Sequence, residues 1–322
     1  MRKRLEPAQK NQFFLNFFPF PFVLVLSVLY SKATNYDFHG RYRMKKFLIS
    51  ALALLLFLCL SGCSKEQRLS ESPQNTTEST TESLTVRLTF PEGYTALEIA
   101  EKLEKNKVCS ASDFMKAAQS EELTEKYGFL KNMKDQDKRA FLLEGYIFPD
   151  TYEFYKGESA ESAISRFLQN TKSKLTDEMS AKAKKLGYSM DEIISLASVI
   201  QAEAGDVKEM GKVSSVLHNR IESPDYGLLQ CDVTINYVND NILDSPYLSG
   251  DKTRFSEYYN TYKKRGVPVG AICNPGLDAI NAALNPEKTD YFYFVTDKDW
   301  NYYYASTYEE HLKNCKICGI EF

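Results

Sequence analysis

The chain has 322 residues, long enough for two modest domains, and its 43% hydrophobic and 26% charged content is that of a globular protein. Its 40 basic and 43 acidic residues leave a net charge of -3, without the basic surplus of a phosphate-backbone binder, so no nucleic-acid partner is expected. Only 3 histidines are present (His39, His218 and His311), which argues against a histidine-rich metal centre.

Residues 13–30 are apolar but interrupted by Asn16, Pro19 and Pro21, and make a poor helix. A complete export signal begins at Met44. Lys45 and Lys46 form a basic start, Phe47–Leu60 is an apolar run of 14 residues, and Leu60-Ser61-Gly62-Cys63 closes it. Such a run is short of the about 20 residues needed to span a bilayer but suits a signal peptide. The closing box resembles a bacterial lipobox, which makes Cys63 the expected lipidation site and the mature N-terminus. Residues 1–43 read either as an extra membrane anchor or as untranslated; because two export signals in tandem are redundant, a start at Met44 is the preferred reading. Residues 64–84 are rich in Ser, Thr, Glu, Gln and Asn, cannot bury enough apolar surface to fold, and read as a disordered tether.

With Cys59 lost in the signal and Cys63 lipidated, Cys109, Cys231, Cys273, Cys315 and Cys318 remain. An odd number outside the cytoplasm is no disulfide scaffold. Cys315 and Cys318, just after His311, make half a zinc ligand set without a second pair, and read better as a disulfide or as plain thiols.

In the folded part, Thr85–Phe90 alternates as a strand and ends at the turn Pro91-Glu92-Gly93. Thr95 and Glu98 form a capping box for a helix carrying Leu97, Ala100 and Leu103, and Ser112 is the expected cap of the next helix. Helical spacing runs from Ser159 to Gly187. A second capping box, Ser189 with Glu192, opens the most apolar helix, Ile193–Ala204, with Gly205 as its expected terminator. Another helix carries Val213, Val216, Leu217 and Ile221, and beyond Pro224 strands and loops are expected. Asn274-Pro275 should open a helix. Tyr291–Val295 and Tyr302–Ala305 read as a hairpin, and Thr307 with Glu310 caps a last helix. Helices and strands mix without a βαβ rhythm, so the fold class is α+β.

Glu203 follows Ile193, Leu196, Val199 and Ile200 on one stripe of the apolar helix, whereas Gln201 lies on another face. Partial burial raises a carboxyl pKa, and the negative end of the helix dipole disfavours ionisation further. Both effects favour an acid protonated near neutral pH; the alternative is an acid that merely fringes the helix end and reaches water. Glu144, Asp150, Glu153 and Asp232 are further acids that spacing alone does not separate.

Segments in series change that balance. Leu143–Tyr152 (LEGYIFPDTY) resembles the LEGYLFPDTY motif of the MltG/YceG-like endolytic murein transglycosylase family. Leu196–Ala204 resembles its catalytic-helix motif and Val213–Arg220 the helix that follows. Leu229–Thr234, Tyr259–Tyr262 and Gly266–Gly276 resemble LQSDPT, YNTY and GLPPGPIxNPG. The resemblance covers roughly residues 85–313 and implies a small LysM-like module with a connecting motif (85–155), then a mixed helix/strand YceG-like catalytic domain (156–322). It implies that Glu203 is the catalytic acid/base, that Glu144, Tyr146, Gln230, Asp232, Asn260, Tyr262 and Asn274 contact substrate, and that neither metal nor cofactor is needed.

The implied activity is non-hydrolytic cleavage of the β-1,4 bond between N-acetylmuramic acid and N-acetylglucosamine, leaving 1,6-anhydro ends and terminating nascent strands. Peptidoglycan glycan strands, penicillin-binding protein synthases and the membrane (through the lipid) are the implied partners, at the extracytoplasmic face of a bacterial membrane. Where many relatives carry two glutamates in the helix motif, this chain has Gln201 and Glu203, and Cys231 and Val233 replace the usual small hydroxyl residue and proline beside Asp232. Cys231 and Cys273, both in cleft motifs, are candidates for a bridge. The rival readings are a non-catalytic peptidoglycan-binding lipoprotein and a hydrolytic muramidase using Asp232 as second carboxylate.

Overall fold

The computed structural model describes residues 83–131 and 133–320; the export signal, Cys63 and residues 1–82 as a whole lie outside the described residues. Strand β1 (Thr85–Thr89) leads through Pro91–Gly93 into helix α1 (Ala96–Lys105). The Thr95 hydroxyl accepts from the Glu98 N–H while the Glu98 carboxylate accepts from Thr95 N–H, so the capping box forms. Helix α2 (Ala111–Ala117) starts two residues before the expected place, because Ser110 rather than Ser112 accepts from the Asp113 N–H. After the short helix α3 (Glu121–Lys126) and a 3-10 turn at Gln136–Lys138, strand β2 (Thr151–Tyr155) returns antiparallel to β1, with Leu88 opposite Tyr152. Phe90, Phe114, Tyr152, Phe154 and Phe167 pack their rings behind this pair.

The long helical pattern from Ser159 divides into α4 (Ala160–Lys174) and α5 (Asp177–Lys185), since Thr176 accepts from Met179 N–H and caps a new helix. Helices α6 (Met190–Glu203) and α7 (Val207–Glu222) follow. Beyond Pro224 the expected strands are replaced by α8 (Asp232–Tyr237), a π-helical turn at Val238–Leu243 and α9 (Arg254–Tyr259), and the helix expected after Asn274-Pro275 forms as α10 (Leu277–Leu284). The hairpin β3 (Tyr293–Thr296) and β4 (Tyr302–Ala305) and helix α11 (Tyr308–Ile317) complete the described chain. Two separate antiparallel pairs among many helices make the architecture α+β.

Helix α6 is the centre of the fold. Every residue from Ile193 to Ile200 is buried, including Ser195 and Ser198, as a helix enclosed on all sides requires. Its serines are satisfied by the chain running alongside: Ser195 donates to Pro268 O (2.9 Å) and Ser198 accepts from Ile272 N–H (3.0 Å). Helices α7 and α10 pack against it and against each other, with Ser214 donating to Ala282 O at 2.7 Å. At its start, the Asp191 carboxylate takes the Arg139 guanidinium and the Tyr146 hydroxyl (2.7 Å), an ion pair buried with its hydrogen bonds complete. One hydrophobic core runs through Leu88, Leu143, Ile193 and Ala279, so no break in packing marks residue 155.

Gly145 sits where backbone and packing both demand glycine. Its φ is +88°, and a Cβ there would lie 2.5 Å from the Ala271 Cβ and 2.8 Å from Ile194 Cγ2. Gly145→Ala is therefore expected to cost about 2–4 kcal/mol, from combined left-handed strain and overpacking. The urea midpoint measures this; an unchanged midpoint contradicts the packing described.

Candidate active site

Beneath the site lies a polar knot. The Glu144 carboxylate is 1% exposed and accepts from the Ala96 N–H at the start of α1 (2.9 Å), the Tyr237 hydroxyl (3.0 Å) and the Asn274 side-chain amide (2.9 Å). Burial outweighs these donors and pushes its pKa up to about 8. Asn274 is a hub: its side-chain oxygen accepts from Ile147 N–H (2.8 Å), and its amide donates to Tyr94 O (2.9 Å) as well as to Glu144. Its main chain exchanges hydrogen bonds with Gly93 and Tyr94. Asn274 therefore does not cap α10, whose N-cap is Gly276.

These contacts bear on three of the expected substrate contacts. Glu144, Tyr146 and Asn274 are each 1% exposed, with their polar atoms taken up by protein partners.

Glu203 is the last residue of α6 and only half-buried. The stripe behind it is as the spacing predicts, with Ile193, Leu196, Val199 and Ile200 all 0% exposed. Protein packed around the carboxyl raises its pKa to about 7; the Cys231 thiol, hydrogen-bonding to it, lowers the value, and the Asp232 charge raises it. The acid is thus desolvated on a residue that remains partly exposed. Gly205 does not terminate the helix in a left-handed conformation. Instead Ala204 turns to φ -92° and ψ 111°, and the Tyr302 hydroxyl clamps the end by donating to Glu203 O (2.9 Å) and accepting from Gly205 N–H (2.7 Å). On the other face Gln201 accepts from the Gly276 N–H at 3.0 Å, which gives it a structural partner at the start of α10.

Cys231 stands beside Glu203, held by the Thr261 hydroxyl, which accepts from its N–H at 3.0 Å. Its thiol is raised well above the usual range, first by burial and then by the Glu203 charge, so it remains a neutral donor. Asp232 is exposed and accepts the Tyr262 hydroxyl at 2.6 Å; Tyr262 itself is 40% exposed. Asn260 folds the turn before it by accepting from Tyr262 N–H at 2.9 Å. Gln230 is exposed, with φ +57°, and its side-chain oxygen accepts from Arg220, which also donates to Leu228 O and Phe292 O. The structure therefore brings Glu203, Cys231, Asp232 and Tyr262 together, with Gln230 and Asn260 shaping the loops that carry them.

Cys231 and Cys273 are not a bridge. Each is free, Cys231 beside Glu203 and Cys273 donating to Ser198 O at 3.3 Å; Cys315 and Cys318 are free as well. Tyr302, Thr261 and the Arg139–Asp191 pair escaped the sequence reading. Arg139 and Asp191 are separated by 52 positions and share no periodicity, so only the fold reveals them. Away from Glu203, β2 and α4 border an open polar groove of about 490 Å³ that includes Asp150, Glu153 and Arg166. The Asp150 carboxyl there is lowered, chiefly by the Thr151 N–H, and is no proton donor near neutrality.

A desolvated carboxyl on a partly exposed residue, next to an exposed acid held by a tyrosine on an α+β scaffold, is a site equipped for proton transfer. The chain belongs to the YceG-like family, whose sequence pattern matches residues 64–317. It is 30% identical over 270 residues to an endolytic murein transglycosylase of Streptococcus pneumoniae serotype 2 (strain D39), covering 78% of this chain and 48% of the relative. It is 33% identical over 196 residues to the endolytic murein transglycosylase of Bacillus subtilis (strain 168), covering 58% and 49%. This chain thus spans about half the length of these relatives. A crystal structure of a yceG-like protein from Listeria monocytogenes superposes with a TM-score of 0.59 at 30% identity, over 71% of this chain and 75% of that one.

The neighbours of Glu203 push its pKa in opposite directions, which gives a signed test. Asp232→Asn removes a charge that raises it, so the Glu203 carboxyl should titrate below about 7; Cys231→Ala removes a hydrogen bond that lowers it, so titration should move upward. Carboxyl-selective NMR titration reads both. Shifts of the same sign in the two variants contradict the arrangement.

Proposed function

We propose that this chain is an endolytic lytic transglycosylase that cleaves peptidoglycan glycan strands between N-acetylmuramic acid and N-acetylglucosamine, with Glu203 as sole acid and base. The observation that carries the reading is the Glu203 carboxyl, raised to about 7 on a partly exposed residue at the end of a buried helix. Protonated, it gives its proton to the glycosidic oxygen as the bond to C1 breaks. As a carboxylate it then takes the proton of the muramic 6-hydroxyl, whose oxygen attacks C1 and closes the 1,6-anhydro ring. The proton balance is zero over the cycle, and no water is consumed. A pKa near neutrality serves both halves, since the same group must donate and then accept.

Gln230, Asp232, Asn260 and Tyr262 are the proposed contacts to the strand. Residues 85–155 are proposed as a LysM-like glycan-binding unit, a reading supported by a strand followed by two helices and, after the short helix α3 and a 3-10 turn, a returning antiparallel strand. Attachment to the extracytoplasmic membrane face through lipidated Cys63, the tether over 64–84, termination of nascent strands and contact with penicillin-binding protein synthases complete the proposal. It rests there on the sequence pattern around Met44–Cys63 and on the relatives' names. Among the described residues no helix is long and apolar enough to cross a membrane. For the hydrolytic alternative, Asp232 must activate a water, and one of its oxygens already accepts the Tyr262 hydroxyl.

Glu203→Gln keeps the size of the side chain and removes its transferable proton. Release of anhydro-ended fragments from purified glycan strands, followed by mass spectrometry, should fall by about 10²–10⁴-fold, the range for lost general acid–base help. Near-normal release by this variant overturns the assignment, and Asp232 becomes the acid to replace next.

A further inference from the structure

Trp300, the single tryptophan of the chain, is 55% exposed at the tip of the β3–β4 hairpin. Its backbone is left-handed, with φ +64°, a conformation that disfavours a large side chain. The tip is built to hold it there. The Asp297 carboxylate accepts from Asp299 N–H (2.9 Å), Asn301 N–H (3.0 Å) and the Asn301 side-chain amide (2.9 Å), and Trp300 N–H donates to Asp297 O (3.1 Å). A left-handed backbone at a bulky residue works against folding, and such strained positions gather where a ligand needs them.

The place of the ring points to that ligand. A Cβ built on Gly205 would lie 3.3 Å from Trp300 Cε3 and 3.6 Å from Cζ3, so the indole lies over bare backbone two residues past Glu203. The same hairpin supplies Tyr302, whose hydroxyl grips Glu203 O and Gly205 N. Tyr262, the other exposed ring near Glu203, stands on a different element, beside Asp232. Glu203 thus has one exposed aromatic near its carboxyl and another near its main chain. A pyranose presents a face of C–H bonds that an aromatic face attracts, while its hydroxyls stay at the rim in water.

We propose that Trp300 is a stacking platform for one sugar ring of the glycan strand, in a subsite next to the bond presented to Glu203. The proposal rests on the glycan-cleaving reading above. Its chemistry is that of an N-acetylated hexopyranose, and the ring positions the strand without taking part in proton transfer.

Because the chain has one tryptophan, emission excited at the red edge, where indole absorbs and tyrosine does not, reports this position alone. The full-length Glu203→Gln protein is titrated with purified, uncrosslinked peptidoglycan glycan strands, and binding is followed separately by co-sedimentation. A saturable shift in Trp300 emission is expected, with a midpoint matching sedimentation. In the otherwise unaltered protein, Trp300→Gly suits the left-handed backbone and should keep or raise the melting temperature. It should raise KM about tenfold with a smaller effect on kcat, the size of one lost aromatic contact. Trp300→Phe should recover much of the KM. Strands that bind and are cleaved while Trp300 emission and the Trp300→Gly KM stay unchanged overturn the platform alone. A protein that neither binds nor cleaves strands overturns the glycan reading and this proposal with it.

Discussion

A carboxyl group sealed inside a protein must be met by donors or stay protonated, and Glu144 imposes that condition on this fold. Meeting it draws together the start of α1 at Ala96, the end of α8 at Tyr237 and the approach to α10 at Asn274. Asn274 in turn fixes Gly93, Tyr94 and Ile147. The chain on both sides of residue 155 is therefore stitched into one body around α6. Gly145, next to the buried acid, lets this loop lie against Ala271 and Ile194 without a side chain between.

Glu144 and Glu203 have raised pKa values from the same first cause but stand in different surroundings. Burial lifts both Glu144, to about 8, and Glu203, to about 7. Glu144 is enclosed and fully engaged, so its proton has nowhere to go. Glu203 lies at a helix end with solvent on one side, a neutral thiol and an exposed carboxylate beside it, and a tyrosine clamping its main chain. Access, not the size of the shift, is what distinguishes Glu203 from Glu144 and is the ground for proposing it as the working acid. Cys231 and Asp232 act on Glu203 in opposite senses, so the loop Leu229–Asp232 adjusts the proton affinity that α6 establishes.

Much of the architecture could be read in advance, because it rests on local rules. The capping boxes at Thr95, Ser189 and Thr307 form, and the stripe leading to Glu203 is buried as its spacing predicts. Local rules failed where a side chain is used over a distance. Asn274 looks like a helix cap beside Pro275, yet its amide is spent on Tyr94, Ile147 and Glu144, and Gly276 takes the cap. Gly205 looks like a helix terminator, but Tyr302, 99 positions from Glu203 in sequence, ends the helix instead. Glu144 and Tyr146 lie in a motif that the family resemblance marks, and the sequence cannot tell that this motif faces inward. The start of the α8–α9 region reads as strand because Val233, Ile235 and Tyr237 alternate with Asp232, Thr234 and Asn236 over a stretch too short to show helical period.

The central claim is that one carboxyl performs the whole cleavage and that the attacking oxygen comes from the sugar itself. Running the reaction in heavy-oxygen water and weighing the new muramic ends tests it most directly. The account predicts anhydro ends one water lighter than reducing ends and without the heavy isotope. Reducing ends that carry heavy oxygen would contradict it and make Asp232 the second carboxylate of a hydrolase.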